Sequence, residues 1–391
     1  MSFFSANQGI ISARRILECI QSEQELVRAI ENNDPRVAKL GLTQFHKQNI
    51  TRVNLITHSW RTVGRQVLDI HPEIVEEVRV AGSDKIPTEI LRTLPYLNPM
   101  VVFADPPVFN TWMGEGDQRL FNFDHAKETS MRLLGFLTCG ISEAIVQGQG
   151  GQMRVEQRIQ NTSAPEADRF GLVLVLEPLD ELGRGLPMEF NTVTLHMKQT
   201  RTFSETIDAV LRGFRWNDGQ GGEASSQQRR WMRDVMSVVI GSLFYLCSTT
   251  LEAEPVPSKF VAKRIPKRVV RAPLSYFQVG WKTGAALSRL RQQRQSSWKE
   301  SEQGDLGHQQ DPQHRKAYYA IRWTGPREGP RVPKLTFVSA YWTHVERLGE
   351  AGTNTARTVP SLGKGEPKAS RDVALETGRY FDDDEREEGS A

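Results

Sequence analysis

The 391-residue chain has few cysteines and no long apolar segment, and each shortage excludes a class of protein. Its three cysteines, Cys19, Cys139 and Cys247, are far apart and in apolar surroundings, which favours buried reduced thiols over a disulfide framework or a thiolate zinc site. The longest nearly apolar run, residues 235–247, is too short to cross a bilayer. The N-terminal residues lack the apolar stretch and cleavage site of a secretory signal. We therefore expect a cytoplasmic protein without a membrane partner.

Catalytic signatures are also missing. The chain has no Gly-x-Ser-x-Gly elbow, no HExxH and no paired CxxC. His125 and Glu128 form a lone HxxE, which is weak evidence for a metal because no second set follows it. Glu156 and Glu177 lie on or near predicted strands, where a nuclease would hold magnesium, but no ordered set of carboxylates accompanies them. We expect a non-enzymatic protein without metal or cofactor, with a divergent metal-dependent RNase as the alternative.

Acidic residues are absent from one long segment, residues 255–299, which we call the basic segment. No Asp or Glu lies between Glu254 and Glu300, where eleven Lys and Arg residues accumulate in a chain of formal charge +3. Pro266 and Pro273 prevent one long helix, so the first of these charges are predicted on an extended or kinked stretch. The pattern predicts an anionic partner, although a solvated basic surface would look the same. The candidate contact residues are Lys263, Arg264, Lys267, Arg268 and Arg271.

Basic and aromatic residues alternate again near residue 320, as in a strand. One face of this strand carries Tyr319, Ile321 and Trp323, and the other carries Tyr318, Ala320 and Arg322. Leu335, Phe337 and Tyr341 indicate the returning strand of a hairpin over residues 315–343, with its turn within residues 325–333. Aromatic stacking and Arg contacts suit unpaired RNA, but a hairpin also needs one aromatic face for the core. We therefore expect Trp323, more than Tyr318 or Arg322, to have a structural role. The candidate residues for binding RNA, ribosome or peptide are Arg315, Lys316, Tyr318, Tyr319, Arg322 and Trp323.

Hydrophobic periodicity predicts an α+β fold. Residues 12–80 are predicted to be helical. One apolar stripe runs from Val53 to Ile70 and includes Trp60, which we expect in the core. Residues 171–178 are apolar on both faces, as a central strand would be, and we expect a mostly antiparallel sheet of about five or six strands. Helices that pack on the sheet are predicted from residue 202 onward, where Thr202 and Glu205 have the spacing of a capping box. A helix is predicted over residues 279–290 and an exposed loop over residues 292–311.

These elements divide the chain into three predicted regions. Residues 1–95 form a helical N-terminal region. Residues 96–348 form an α+β core that contains the basic segment and ends in the C-terminal hairpin. Residues 349–391 have few apolar side chains and an acidic end, which predicts a disordered acidic tail.

Several of these stretches, taken in order, resemble a type V-A anti-CRISPR family, the one that lowers production of the CRISPR nuclease instead of blocking the finished enzyme. The similar stretches are residues 59–78, 86–106, 243–255, 275–292 and 314–325, the last reading HRKAYYAIRWTG. The resemblance implies a protein of mobile elements that acts in a bacterial host cell. It implies recognition of the nascent CRISPR nuclease, or of another nascent polypeptide, with loss of the messenger RNA.

The last of these stretches departs from the family pattern, which has two histidines around a tryptophan after paired basic residues. Arg315 and Lys316 keep the basic pair, whereas Tyr318 and Ala320 stand at the histidine positions and Tyr319 at the tryptophan. A metal or acid–base role for those histidines is therefore not available. The resemblance implies recognition of a polypeptide, and the basic residues predict contact with mRNA or the ribosome. A plasmid-borne RNA-binding protein without a CRISPR target is a further alternative.

Overall fold

The computed structural model describes residues 3–32, 34–35, 44–63, 65–82, 85–112, 128–147, 153–160, 167–180, 182–186, 188–197, 202–213, 226–266, 269–270, 273–301, 313–326, 328 and 332–343. The helices are α1 (Phe3–Glu31), α2 (Gln44–Val63), α3 (Pro72–Val80), α4 (Phe203–Gly213), α5 (Ser226–Leu246), α6 (Ser258–Ala262) and α7 (Trp281–Ser301), with a 3₁₀ helix at Thr88–Thr93. The strands are β1 (Gln66–Ile70), β2 (Met100–Phe103), β3 (Val108–Trp112), β4 (Glu128–Gln147), β5 (Met153–Gln160), β6 (Arg169–Leu179), β7 (Glu189–His196), β8 (Ala253–Pro255), β9 (Ser275–Val279), β10 (Gln313–Arg315), β11 (Tyr318–Thr324), β12 (Val332–Val338) and β13 (Tyr341–Thr343). The fold is α+β, which confirms the prediction.

One sheet of nine strands organises the described chain. Its order is β7-β6-β4-β2-β1-β9-β8, and β3 and β5 also pair with β4. The sheet is mostly antiparallel, as predicted, and β6 is buried along nearly its whole length. Its centre differs from the prediction because β1 runs parallel to both β2 and β9.

Strand β1 corrects the predicted helical stripe. Helix α2 ends at Val63, and Arg65 follows with a φ of 47°, so Val67 and Ile70 belong to a strand. All five residues of β1 are buried, and a short strand buried on both faces has the same apolar signal as a helix. Trp60 does lie in the core, fully buried, and its Nε1 donates a hydrogen bond to Gln66 O at 2.9 Å.

Side chains of the sheet alternate between two apolar layers. On one face, Val67, Val102 and Val175 pack in a cluster with residues of α1, α2 and α6. On the other face, Leu68 and Phe103 pack with residues of α3, α4, α5, α7 and the C-terminal hairpin. The basic α6 and the hairpin therefore lie on opposite faces of the sheet.

The end of the basic segment is more regular than predicted. Helix α7 continues to Ser301, so the loop predicted from Gln292 is wrong as far as residue 301. Its start is fixed by Gly280, with a φ of 70°, and by the Glu252 carboxylate, which accepts hydrogen bonds from the backbone N–H groups of Lys282 at 2.7 Å and Thr283 at 3.1 Å. Val279 is thus the last residue of β9 and not the first of a helix.

The predicted capping box is confirmed by direct contacts. Thr202 N donates to Glu205 Oε2 at 2.8 Å and Glu205 N to Thr202 Oγ1 at 3.4 Å, as a capping box requires. All three cysteines are free thiols; Cys139 and Cys247 are buried, as predicted, whereas Cys19 is only half-buried. Burial raises the pKa of Cys139 and Cys247 to about 12. No described helix is long and apolar enough to cross a membrane.

The boundaries of the three regions stay predictions. The sheet joins β1, from the first region, to β2 and β9 of the second. The acidic tail and His125 lie outside the described residues.

Candidate functional site

The C-terminal hairpin is a two-stranded ribbon, which we define as residues 313–324 with 332–343. β11 pairs antiparallel with β12, Tyr318 opposite Val338, and β10 pairs with β13 in the same register, Arg315 opposite Tyr341. One ribbon face packs on α5: Leu335 and Phe337 are buried. The hydroxyl of Tyr319 donates to Gly241 O at 2.7 Å. This ribbon confirms the predicted hairpin.

Tyr319 is a support of the ribbon and not part of its exposed surface. Its ring lies 6.0 Å from the ring of Phe244 and 5.2 Å from that of Phe337. Burial raises the pKa of Tyr319 well above its usual range. The sequence placed this residue among the binding candidates because aromatic core residues and aromatic ligand contacts have the same composition.

The opposite face of the ribbon is exposed and basic. Tyr318 and Arg322 are exposed, and Lys334, directly opposite Arg322, is exposed as well. Like charges opposite each other destabilise a strand pair. Within the described residues neither Arg322 nor Lys334 makes an ion pair. A negatively charged partner would remove this repulsion. Lys334 was not a sequence candidate, although the alternation with Leu335 and Phe337 places it outside.

The prediction that Trp323 is structural is wrong, since 48% of its surface is exposed. It shares a strand face with Tyr319, but it lies four residues nearer the turn, just before Gly325, and pairs with Pro333. Trp323 is therefore an exposed aromatic beside Arg322. Lys316 is also exposed, whereas the side chain of Arg315 lies outside the described residues.

The basic segment begins on the other face of the sheet. α6 is a short helix anchored by Val261, and it ends at Ala262, before Pro266. Lys263 is exposed and Arg264 half-buried, with its guanidinium carbon 3.7 Å from the centroid of the Phe260 ring. Lys267, Arg268 and Arg271 lie outside the described residues.

Three more arginines belong to this layer: Arg28 of α1, Arg61 of α2 and Arg65, which follows α2. We call them the arginine cluster. Arg65 Nε donates to Arg61 O at 2.6 Å, and the Arg61 guanidinium donates to Gln24 Oε1, one turn of α1 before Arg28. Burial, then the charges of Arg28 and Arg65, lower the pKa of Arg61. Arg65 O accepts a hydrogen bond from Ser275 N at 3.3 Å, which places the cluster beside the start of β9. The sequence does not reveal this cluster, because Arg28 joins Arg61 and Arg65 only when α1 packs beside α2.

Two later charges of the basic segment, Lys282 and Arg291, are neutralised by ion pairs. Lys282 pairs with Glu254, and Arg291 pairs with Glu73 at 2.5 Å and with Glu77 at 3.1 Å. The run of eleven basic residues is therefore not one continuous charged surface. The candidate anionic-partner surface is narrowed to the residues near α6 and the arginine cluster.

The carboxylates of the described residues do not form a recognisable metal centre. Glu177 is completely buried and accepts hydrogen bonds from Arg132 at 3.0 Å and from Arg15. Two guanidinium groups already neutralise this carboxylate, which leaves no role for a divalent cation there. Among the described residues no group of three His, Cys, Asp or Glu side chains is placed to hold a metal. The side chain of Glu156 lies outside the described residues.

The described residues thus form an α+β protein with two basic surfaces on opposite faces of one sheet. The model of the AcrVA2-like proteins, the anti-CRISPR type V subtype A2 family, matches residues 68–345. The chain belongs to this anti-CRISPR family. The matched residues run from within β1 to beyond the hairpin, whereas α1 and α2 precede them. No curated protein matches the sequence significantly.

Proposed function

We propose that the chain recognises a target polypeptide while it is being translated and lowers the amount of its messenger RNA. Membership of the anti-CRISPR family supports a CRISPR-related target. The first candidate is the nascent type V-A CRISPR nuclease, acting in a bacterial host cell. The family match carries the proposal, because it is the observation that connects the chain with a target.

In this proposal the two basic surfaces have different partners. The surface near α6, with Lys263 and Arg264 beside the arginine cluster, contacts RNA of the messenger or the ribosome. Clustered arginines favour a polyanion, because each phosphate that binds a guanidinium reduces the repulsion between the positive charges. Lys267, Arg268 and Arg271 are proposed members of this surface.

The ribbon reads the polypeptide. Tyr318, Arg322 and Trp323 are exposed on a rigid base, since Tyr319 and Phe337 fix the other side of the hairpin to α5. Exposed aromatic and arginine side chains are the residues that most often dominate protein recognition. Lys316 and Arg315 belong to the same proposed surface.

A reporter experiment tests the dependence on translation. A host cell expresses the chain together with a messenger RNA that encodes the type V-A nuclease, and a second reporter carries the same RNA without its start codon. We expect loss of the first RNA only, because the second produces no nascent polypeptide. Equal levels of both RNAs with and without the chain, or equal loss of both, would contradict the proposal.

A further inference from the structure

Strand β12 uses both of its edges. One edge pairs with β11, and on the other Thr249 N donates to Leu335 O at 2.8 Å and Thr250 Oγ1 donates to Phe337 O at 3.1 Å. The carbonyl groups of Leu335 and Phe337 therefore point away from β11. In an antiparallel pair, residues with outward backbone groups face each other across the ladder.

The register then identifies the free edge of β11. Leu335 and Phe337 are opposite Ile321 and Tyr319, so the N–H and C=O groups of these two residues point outward on the far side of β11. Trp323 follows in the same alternation, opposite Pro333, a residue without N–H that fits an outward position. Within the described residues no strand pairs with this edge and no hydrogen bond reaches its backbone groups. In the described part of the chain, three alternate residues of β11 thus have backbone donors and acceptors without a partner strand.

The side chains around this edge favour an acidic occupant. Lys316, Arg322 and Lys334 are exposed, and residues 313–343 contain six Lys and Arg but one acidic residue, Glu328. Exposed Tyr318 and Trp323, at 45% and 48%, add apolar surface at both ends of β11. The same positive charges oppose pairing of two identical edges, which argues against a second copy of the chain.

We propose that the free edge of β11 binds an extended, acidic polypeptide segment by strand addition. Backbone hydrogen bonds to residues 319, 321 and 323 hold the segment, and its acidic side chains lie over Arg322, Lys334 and Lys316. This inference rests on the proposed function, because a polypeptide still being translated is unfolded and has backbone groups free for pairing. About five to seven residues in extended form span the three open sites.

The replacement Ile321→Pro tests the backbone contact directly. It removes an outward N–H that makes no bond to β12, so the hairpin ladder stays intact. Ile321→Val is the matched control, because it keeps the N–H and a similar side chain. The probe is a fluorescein-labelled peptide of roughly twelve residues that alternates Glu and Val, measured by fluorescence anisotropy with the full chain. We expect about tenfold weaker binding for Ile321→Pro and unchanged binding for Ile321→Val.

Hydrogen exchange gives a second readout that does not depend on a variant. The amides of residues 319, 321 and 323 should exchange quickly in the free chain and become protected by the peptide. The amides of Ala320 and Arg322 should be protected in both states. Equal affinity of the peptide for the wild type and for Ile321→Pro would overturn the inference. Absence of protection at saturating peptide would overturn it as well.

Three comparisons separate other occupants. A peptide with Lys in place of Glu should not bind, and equal binding of it would refute the acidic specificity. A single-stranded RNA of similar length that loses affinity on Ile321→Pro as the peptide does would assign the edge to RNA and overturn the inference. A dimer of the chain that Ile321→Pro dissociates, detected by sedimentation, would assign the edge to a second copy.

The reporter experiment distinguishes this inference from the proposed function. If Ile321→Pro still lowers the nuclease messenger RNA as the wild type does, the edge is not the reading site and the proposed function stands. If the wild type leaves the messenger RNA unchanged but the acidic peptide protects its edge amides from exchange, the edge binds polypeptide and the proposed function fails.

Discussion

The side chain of Asp69 lies in the interior of the protein, on the face of β1 that α1 covers. It is completely buried beside Tyr276 of β9, and Gly9 of α1 packs directly over it, since a Cβ on Gly9 would lie 2.3 Å from Asp69 Oδ2. Burial raises the pKa of Asp69 well above its usual range, and the Tyr276 hydroxyl offsets this only in part. The folded protein therefore favours the protonated, uncharged carboxyl group.

This carboxyl group predicts how stability changes with pH. The unfolded chain releases the proton of Asp69 near the ordinary pKa of 3.8, while the folded chain retains it to a higher pH. The contribution of Asp69 to folding free energy is therefore lost as pH rises above about 4, by at most about 1.4 kcal/mol per pH unit, until the folded pKa is reached. Asp69→Asn has no proton to release and should lose less stability between about pH 4 and pH 8.

Urea unfolding at several pH values measures this effect in the full chain. Asp105→Asn is the matched control, because Asp105 is exposed and its replacement should leave the pH dependence unchanged. Parallel stability curves for Asp69→Asn and the wild type would show that the buried carboxyl group does not govern this pH range.

At the scale of elements, the attachment of the ribbon to α5 depends on adjacent tyrosines with different surroundings. The hydroxyl of Tyr319 bonds to Gly241 O at 2.7 Å, whereas Tyr318 is 45% exposed on the outer face. Tyr319→Phe should lower the free energy of unfolding by about 1 kcal/mol, because the hydrogen bond from the hydroxyl to Gly241 O is lost. Tyr318→Phe should change it by less than about 0.5 kcal/mol. Chemical denaturation of both variants checks this, and equal effects would mean that Tyr319 does not anchor the hairpin.

The elements that the sequence predicted are those with a local signal. The capping box at Thr202 and the buried strand β6 depend on neighbouring residues alone, and both were found. β1 was missed because residues 66–70 continue the apolar spacing of α2. The end of α7 was missed because Gln and Ser composition indicates a loop, although the intrinsic helix propensity of Gln is good.

At the scale of the whole molecule, the sheet decides which residues share a surface. The basic segment and the hairpin are recognisable in the sequence, but their relative placement is not: α6 and the ribbon belong to opposite apolar layers. The arginine cluster and the ion pairs of Glu177 join residues far apart in the chain, as Arg15 and Glu177 do. Such contacts follow from strand order and helix placement, which composition and spacing do not determine.

Surfaces on opposite faces of a sheet should act independently. Replacing Lys263, Arg264, Lys267, Arg268 and Arg271 with Gln should abolish ribosome co-sedimentation and leave binding of the acidic peptide unchanged. Ile321→Pro should do the reverse, and the combined variant should show both losses without additional coupling, because distant sites act additively. Wild-type association should also weaken with salt, by roughly 0.7 log units per phosphate contact per log unit of salt for single-stranded RNA.

The control for general charge effects is Lys85→Gln with Arg230→Gln, two exposed residues outside both surfaces. This variant should retain ribosome association and peptide binding. Circular dichroism must show the same fold for all variants, so that a loss reports binding and not unfolding. If the five-residue variant lost peptide binding as well as ribosome association, the two surfaces would be coupled through the sheet. The assignment of separate partners to the two faces would then be wrong.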